Sequence, residues 1–138
     1  MLDLIGGARA LRRRGPVRLG LHAATEAGLK TLALESLLKN LDATRDELLA
    51  AVAVSARTWA RRQQEGALSS EESDRLLRVA RVAAHAEEIL GGRSEAVKWL
   101  KAPNRALGGR KPLELVHTDA GAELVTGVLG RLEHGVFG

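Results

Sequence analysis

Cysteine is missing from all 138 residues. That excludes disulfides and thiolate metal sites, and a reducing cytoplasm is the natural setting. Aromatic residues are almost missing as well, with two Trp, one Phe and no Tyr. A single-stranded nucleic acid is held by stacking on exposed rings, so that class of partner is disfavoured. The first thirty residues contain no apolar run long enough for a signal-peptide core or a membrane span. In MLDLIGGARALRRRG the arginines follow the apolar start rather than precede it. The expectation is a soluble cytoplasmic protein with no membrane partner.

Catalytic constellations are also lacking. There is no thiol nucleophile and no G-x-S-x-G, and Gly108-Gly109 is too short for a phosphate-binding loop and follows no strand. His85 and Glu88 have the spacing of half a carboxylate–histidine metal site, but no second such motif completes it. The four histidines therefore read as surface or helix-end residues, His134 lying where a cation favours a helix C-terminus. The expectation is no enzyme, no cofactor and no metal.

What is present is positive charge in one half. Residues 1–66 carry 11 Lys/Arg against 7 Asp/Glu, and residues 67–138 carry 10 against 10. The excess points to a polyanion-facing half followed by a charge-balanced one. No stretch shows the two-residue alternation of a half-buried strand, while Ala, Leu, Arg and Glu fill the segments between glycines. The fold class is all-α, with six to eight helices. A basic arm, open to partial disorder, covers residues 1–17. A helix-turn-helix domain with its linking helix covers 18–84, and a second helical module covers 85–138.

The helix-turn-helix reading rests on local signals. Helices are expected over Val17–Ala27 and Thr31–Leu41. Thr44 and Glu47 have capping-box spacing and open a short helix. After the VAV of residues 52–54, Ser55 caps the next helix, in which Ala56, Trp59, Ala60 and Gln63 are expected to face inward. Arg57, Thr58, Arg61, Arg62, Gln64 and Glu65 are expected to face outward. Side chains in the first turns of such a helix reach base edges in the major groove. Ser55, Arg57, Thr58, Arg61, Arg62 and Gln64 are the expected DNA-contacting residues, with Arg57 and Arg61 suited to guanine and Arg62 and Gln64 to phosphates.

Ser69 and Glu72 repeat the capping-box spacing and open a longer helix ending at Gly91-Gly92. It carries two apolar stripes, Leu76–Ala80–Ala83–Leu90 and Val79–Val82–Ala86–Ile89. One stripe suffices to dock on the preceding helices, so the second suggests another element or another copy of the chain, and a homodimer is expected. Further helices are expected from Ser94, from Pro112 at a first helical position, and from Thr118 to about His134. Phe137, the only phenylalanine, lies at the very end.

The segment from Trp99 to Phe137 resembles the C-terminal toxin-binding domain of the Xre/MbcA/ParS-type antitoxins. The shared pattern is Trp99-Leu100, Pro103-Asn104, Ala106 to Gly109, Pro112-Leu113, Leu115, Thr118, Gly121 and RLEHGVF at 131–137. Upstream, SARTWARRQQEGALSSEESDRLLRVARV is similar to the helix-turn-helix and linking helix of the same family. The resemblance implies an antitoxin that blocks a NAD-consuming RES-domain toxin and represses its own operon by binding double-stranded operator DNA. It assigns toxin contact to Asn104, Leu107, Gly108, Gly109, Arg110, Arg131, His134 and Phe137, and a packing role to Trp99, Leu113 and Leu115. Two positions depart from the family: Ala53 stands where the turn usually carries glycine, and Trp59 where leucine is usual. The alternative left open is a helix-turn-helix regulator with no toxin partner.

Overall fold

The computed structural model describes residues 1–7 and 17–135. Phe137 and the arginines at 12–14 lie outside the described residues. Those described form eight α-helices: α1 (Val17–Ala27), α2 (Thr31–Asn40), α3 (Arg45–Ala51), α4 (Ala56–Glu65), α5 (Ser70–Leu90), α6 (Arg93–Leu100), α7 (Pro112–Leu115) and α8 (Asp119–Glu133). Two 3-10 turns, Leu2–Ile5 and Arg105–Leu107, complete the set.

Side-chain caps start the helices where their spacing predicts. Thr44 opens α3 with both halves of a capping box, Ser69 does the same for α5, and Thr118 accepts from the Gly121 amide to open α8. Pro112 stands in the first turn of α7.

The central member is α5, against which α1, α6, α8 and the N-terminal 3-10 turn all pack. Leu76, Leu77, Val79, Ala80, Val82, Ala83 and Ala86 of α5 are buried. Both apolar stripes are therefore covered by the chain's own elements as far as Ala86, with Ile89 and Leu90 partly buried beyond it, and the second needs no other copy. The core is one continuous cluster from Leu4 to Leu129. The junction expected between residues 84 and 85 falls inside α5, so the two functional halves share one core.

The N-terminus differs from a free basic arm. Leu4 and Ile5 are fully buried, and Asn40 donates its side-chain amide to the Leu4 carbonyl at 3.1 Å. Arg93 ties this turn down with ion pairs to Asp3 and Glu87, each at 2.7 Å. Two adjacent aliphatic side chains ahead of the basic tract are enough to draw these first residues into the core.

A short backbone crossing closes the helix-turn-helix half. The amide of Leu68 donates to the Leu29 carbonyl at 2.8 Å, and that of Thr31 to the Gly66 carbonyl at 3.1 Å. Buried Ser73 accepts from the Leu29 amide and donates to the Ser69 carbonyl, so its hydroxyl is satisfied. The α1–α2 and α4–α5 connections are thereby fixed to each other, which sets where α4 can lie.

Candidate functional site

Helix α3 ends in a Schellman arrangement. The Ala53 amide donates to the Ala50 carbonyl at 3.1 Å and the Val54 amide to the Leu49 carbonyl at 2.9 Å. This motif requires a left-handed residue at its turn, and Ala53 takes it with φ 52. Two residues later Ser55 accepts from the Thr58 amide at 3.1 Å and starts α4. Its hydroxyl also donates to the Thr58 hydroxyl at 3.0 Å, so both side chains are engaged in the cap. Trp59 is buried beneath.

Helix α4 is rotated from the expected orientation. Ala56, Ala60 and Gln63, expected inside, are not buried: Ala56 and Ala60 are exposed, together with Arg57, Arg61 and Gln64. Arg62, expected outside, turns inward beside Trp59. Its Nε donates to the buried Glu72 carboxylate at 2.7 Å, its Nη2 at 3.3 Å, and Nη1 reaches Glu65 at 3.1 Å. Residues 59 and 62 lie one turn apart and share a face; the carboxylate waiting on α5 decides which face that is. Burial pushes the Glu72 carboxyl up, but the bonds from Arg62 and from the Ser69 amide outweigh it and hold it below its ordinary value. Arg62 is thus committed to the α4–α5 joint and is not free for a phosphate.

The remaining expected DNA residues fall on one accessible surface. Arg57 is exposed and has no ion pair among the described residues. Arg61 lies 3.6 Å from Glu65 with most of its side chain in solvent, and Gln64 is exposed one turn further on. Arg57 and Arg61 are four residues apart on one side of α4, as two adjacent base contacts require.

In the C-terminal half, Asn104 to Arg110 closes on itself. The Asn104 amide donates to the Arg110 carbonyl at 3.0 Å, and the Gly109 amide returns to the Asn104 carbonyl at 2.9 Å. The Asn104 side chain accepts from the Ala106 amide at 3.0 Å. Gly108 and Gly109 have φ 68 and 82, a pair of consecutive left-handed residues that side chains would strain. The result is a rigid loop presenting Arg105, Gly108, Gly109 and Arg110 to solvent. Leu107, expected to meet a partner, is buried: it is the apolar plug that fastens the loop to the core. Asn104 likewise shapes the loop from within. Leu113 is buried, and Trp99 and Leu115 pack partly buried against the core. Arg131 and His134 are exposed near the end of α8, apart in sequence from the loop.

Three cationic side chains were not singled out by sequence reasoning. Arg75 on α5 donates through Nε to the Val52 carbonyl at 2.7 Å and through Nη2 to the Ala53 carbonyl at 3.4 Å. Arg78, one turn on, bonds the His117 carbonyl at 3.2 Å and pairs with Asp119 at 2.7 Å. Lys101 donates to the Asp42 carbonyl. All three bond backbone oxygens at least 22 residues away, which no spacing in the sequence signals. Leu124 of α8 is the one large apolar side chain exposed among the described residues. His22 pairs with Glu26 within α1 and His117 contacts the Glu114 carbonyl. Among the described residues no group of three or more His, Asp or Glu is placed to hold a metal, and no helix is long and apolar enough to cross a membrane.

Comparison with known proteins bears on both halves. Residues 20–81 match the antitoxin Xre-like helix-turn-helix domain, and residues 85–135 match the antitoxin Xre/MbcA/ParS C-terminal toxin-binding domain. An antitoxin Xre from Yersinia enterocolitica is 40% identical over 93 residues, 66% of this chain and 63% of that protein, so this match spans just under two thirds of the relative. An antitoxin Xre from Photorhabdus laumondii is 30% identical over 118 residues, 84% of this chain and 80% of its own length. In solved structures the fold is similar to a chain of the M. tuberculosis MbcT–MbcA toxin–antitoxin complex, with a TM-score of 0.57, 29% identity, and coverage of 85% and 97% of the two chains. A helix-turn-helix DNA-binding domain joined to a small helical C-terminal domain, matched over this much of its length, places the chain in the Xre antitoxin family, whose members bind and regulate rather than catalyse.

Proposed function

We propose that this chain neutralises a NAD-consuming RES-domain toxin through its C-terminal half, and represses its own operon by laying α4 in the major groove of operator DNA. The observation that carries the first part is the Asn104–Arg110 loop. It lies within the residues matched to a toxin-binding domain, and its backbone is fixed by its own hydrogen bonds before any partner arrives. Such a loop loses little conformational freedom on binding. Gly108, Gly109 and Arg110 form its exposed rim in this reading, with Arg131, His134 and Phe137 contributing from the end of the chain.

The second part is supported by the exposed Arg57, Arg61 and Gln64 on a helix whose N-terminus is free of acidic residues. Ser55 and Thr58 orient that helix rather than read bases. In this reading the DNA-bound species is a homodimer that sets one α4 in each of two half-sites, assembled through a surface other than the stripes of α5. The protein acts in the cytoplasm, where the NAD pool is.

The test is co-expression with the product of the neighbouring open reading frame while cellular NAD and growth are followed. NAD depletion by the neighbour alone, reversed by this chain, supports the reading. A harmless neighbour, or depletion this chain leaves unchanged, removes the toxin and leaves a DNA-binding regulator.

A further inference from the structure

Among the described residues only two that are not glycine have positive φ, Asp42 at 49 and Ala53 at 52. They bracket α3. Each is the left-handed residue of a Schellman cap: the Ala43 amide bonds the Leu38 carbonyl and the Val54 amide bonds the Leu49 carbonyl. Each also has its own carbonyl held by a cation from outside α2, α3 and α4. Lys101, at the end of α6, holds the Asp42 oxygen, and Arg75, on α5, holds the oxygens of Val52 and Ala53.

The two residues differ in what they need. Aspartate visits the left-handed region with some ease, whereas alanine meets the full clash of its Cβ with the following carbonyl. A turn closed by alanine is therefore poised to relax. Relaxation would swing α4, because only Val54 and Ser55 separate Ala53 from its first residue. Arg75 opposes this. Its two donors span consecutive carbonyls, and its charge sits at the C-terminus of α3, where a cation is favoured.

We propose that Arg75 is a positioning residue for the DNA-reading helix: by bridging the Val52 and Ala53 carbonyls it locks Ala53 in the left-handed conformation that aims α4. Ala53 and Arg75 are then a coupled pair, the arginine supplying the restraint that glycine's freedom makes unnecessary elsewhere.

The test is hydrogen exchange at the Val54 amide, which reports the closing bond of the turn and needs no ligand. In Arg75→Ala this amide should exchange roughly tenfold faster than in the wild type, the scale of losing one charge-assisted bond at a partly exposed site. Adding Ala53→Gly should reduce that acceleration to about threefold or less against Ala53→Gly alone, since glycine holds the turn unaided. Arg78→Ala, which loses bonds to Asp74, His117 and Asp119 but none to the turn between α3 and α4, should leave Val54 unchanged. No acceleration in Arg75→Ala, or equal acceleration in the wild-type and Ala53→Gly backgrounds, overturns the proposal. If Arg75→Ala fails to fold, a folded Ala53→Gly/Arg75→Ala double variant supports it, and failure of both overturns it.

A second readout separates positioning from direct contact. It uses a labelled duplex spanning the region upstream of this chain's own gene. Arg75→Ala should bind it about tenfold more weakly with an unchanged salt dependence. A salt slope reduced by about 0.9, in either background, would make Arg75 a phosphate contact instead and overturn the positioning role. This readout rests on the DNA-binding reading. If the wild type binds no such duplex, that reading fails, while the exchange experiment still decides the role of Arg75.

Discussion

Replacing Glu72 gives a graded test of the joint between α4 and α5. Its Oε1 accepts from the Ser69 amide and from Arg62 Nε, both at 2.7 Å, and its Oε2 from Arg62 Nη2 at 3.3 Å. Glu72→Ala removes the acidic half of the α5 capping box, worth about 1 kcal/mol. It also removes a charge-assisted pair at a buried carboxylate, worth about 1.5–3 kcal/mol. Arg62 keeps Glu65 as a partner, so the lower part of that range applies and the total is about 3 kcal/mol. Glu72→Gln keeps an acceptor for Ser69 but loses the charge, and should cost about 1–2 kcal/mol. Urea denaturation at neutral pH measures both. The pH dependence has a definite sign. The folded carboxyl lies below its ordinary value of 4.5, so its contribution is complete above that value and disappears as pH falls through the folded one. The gap between wild type and Glu72→Gln should therefore close in acid. An Ala variant within about 0.5 kcal/mol of wild type, or a Gln gap undiminished in acid, would refute the assignment of this carboxylate to the joint.

Two arginines on α4 should separate cleanly. Arg62→Ala should lower the melting temperature, whereas Arg57→Ala should leave it unchanged and relax duplex sequence preference; preference surviving in Arg57→Ala would show that another face is read. Two glycines of α8 should behave oppositely. A Cβ at Gly121 would lie 1.8 Å from the Leu115 carbonyl oxygen, so Gly121→Ala must shift α7 from α8 and destabilise by several kcal/mol. At Gly127 the nearest atom is Arg131 Nη1 at 3.8 Å, and Gly127→Ala should stabilise by about 0.5–1 kcal/mol, both being read by thermal unfolding.

Local devices were legible in the sequence, and long-range ones were not. Both capping boxes, the Ser55 and Thr118 caps and Pro112 at the start of α7 stand where their spacing predicts, because each signal lies within a few residues of its effect. The departure of Ala53 from glycine is visible only through the family resemblance; the arginine whose donors reach its carbonyl, 22 residues on, is signalled by nothing in the sequence. The orientation of α4 failed at Arg62, since hydrophobicity ranks an arginine as exposed and cannot anticipate a buried carboxylate on the next helix. The second stripe of α5 points to another element or another copy of the chain; its periodicity does not reveal which, and the chain's own helices supply the neighbours. In the C-terminal half the pattern marks a segment that closes on itself, and within it Leu107 is an anchor rather than part of the exposed rim.

Inhibition of the toxin is the central claim, and NAD consumption by the purified toxin, titrated with this chain, tests it most directly. Complete inhibition near one chain per toxin active site is predicted, with a chain truncated at Gly130 failing to protect. Undiminished NAD consumption at a large excess of the intact chain would contradict the claim.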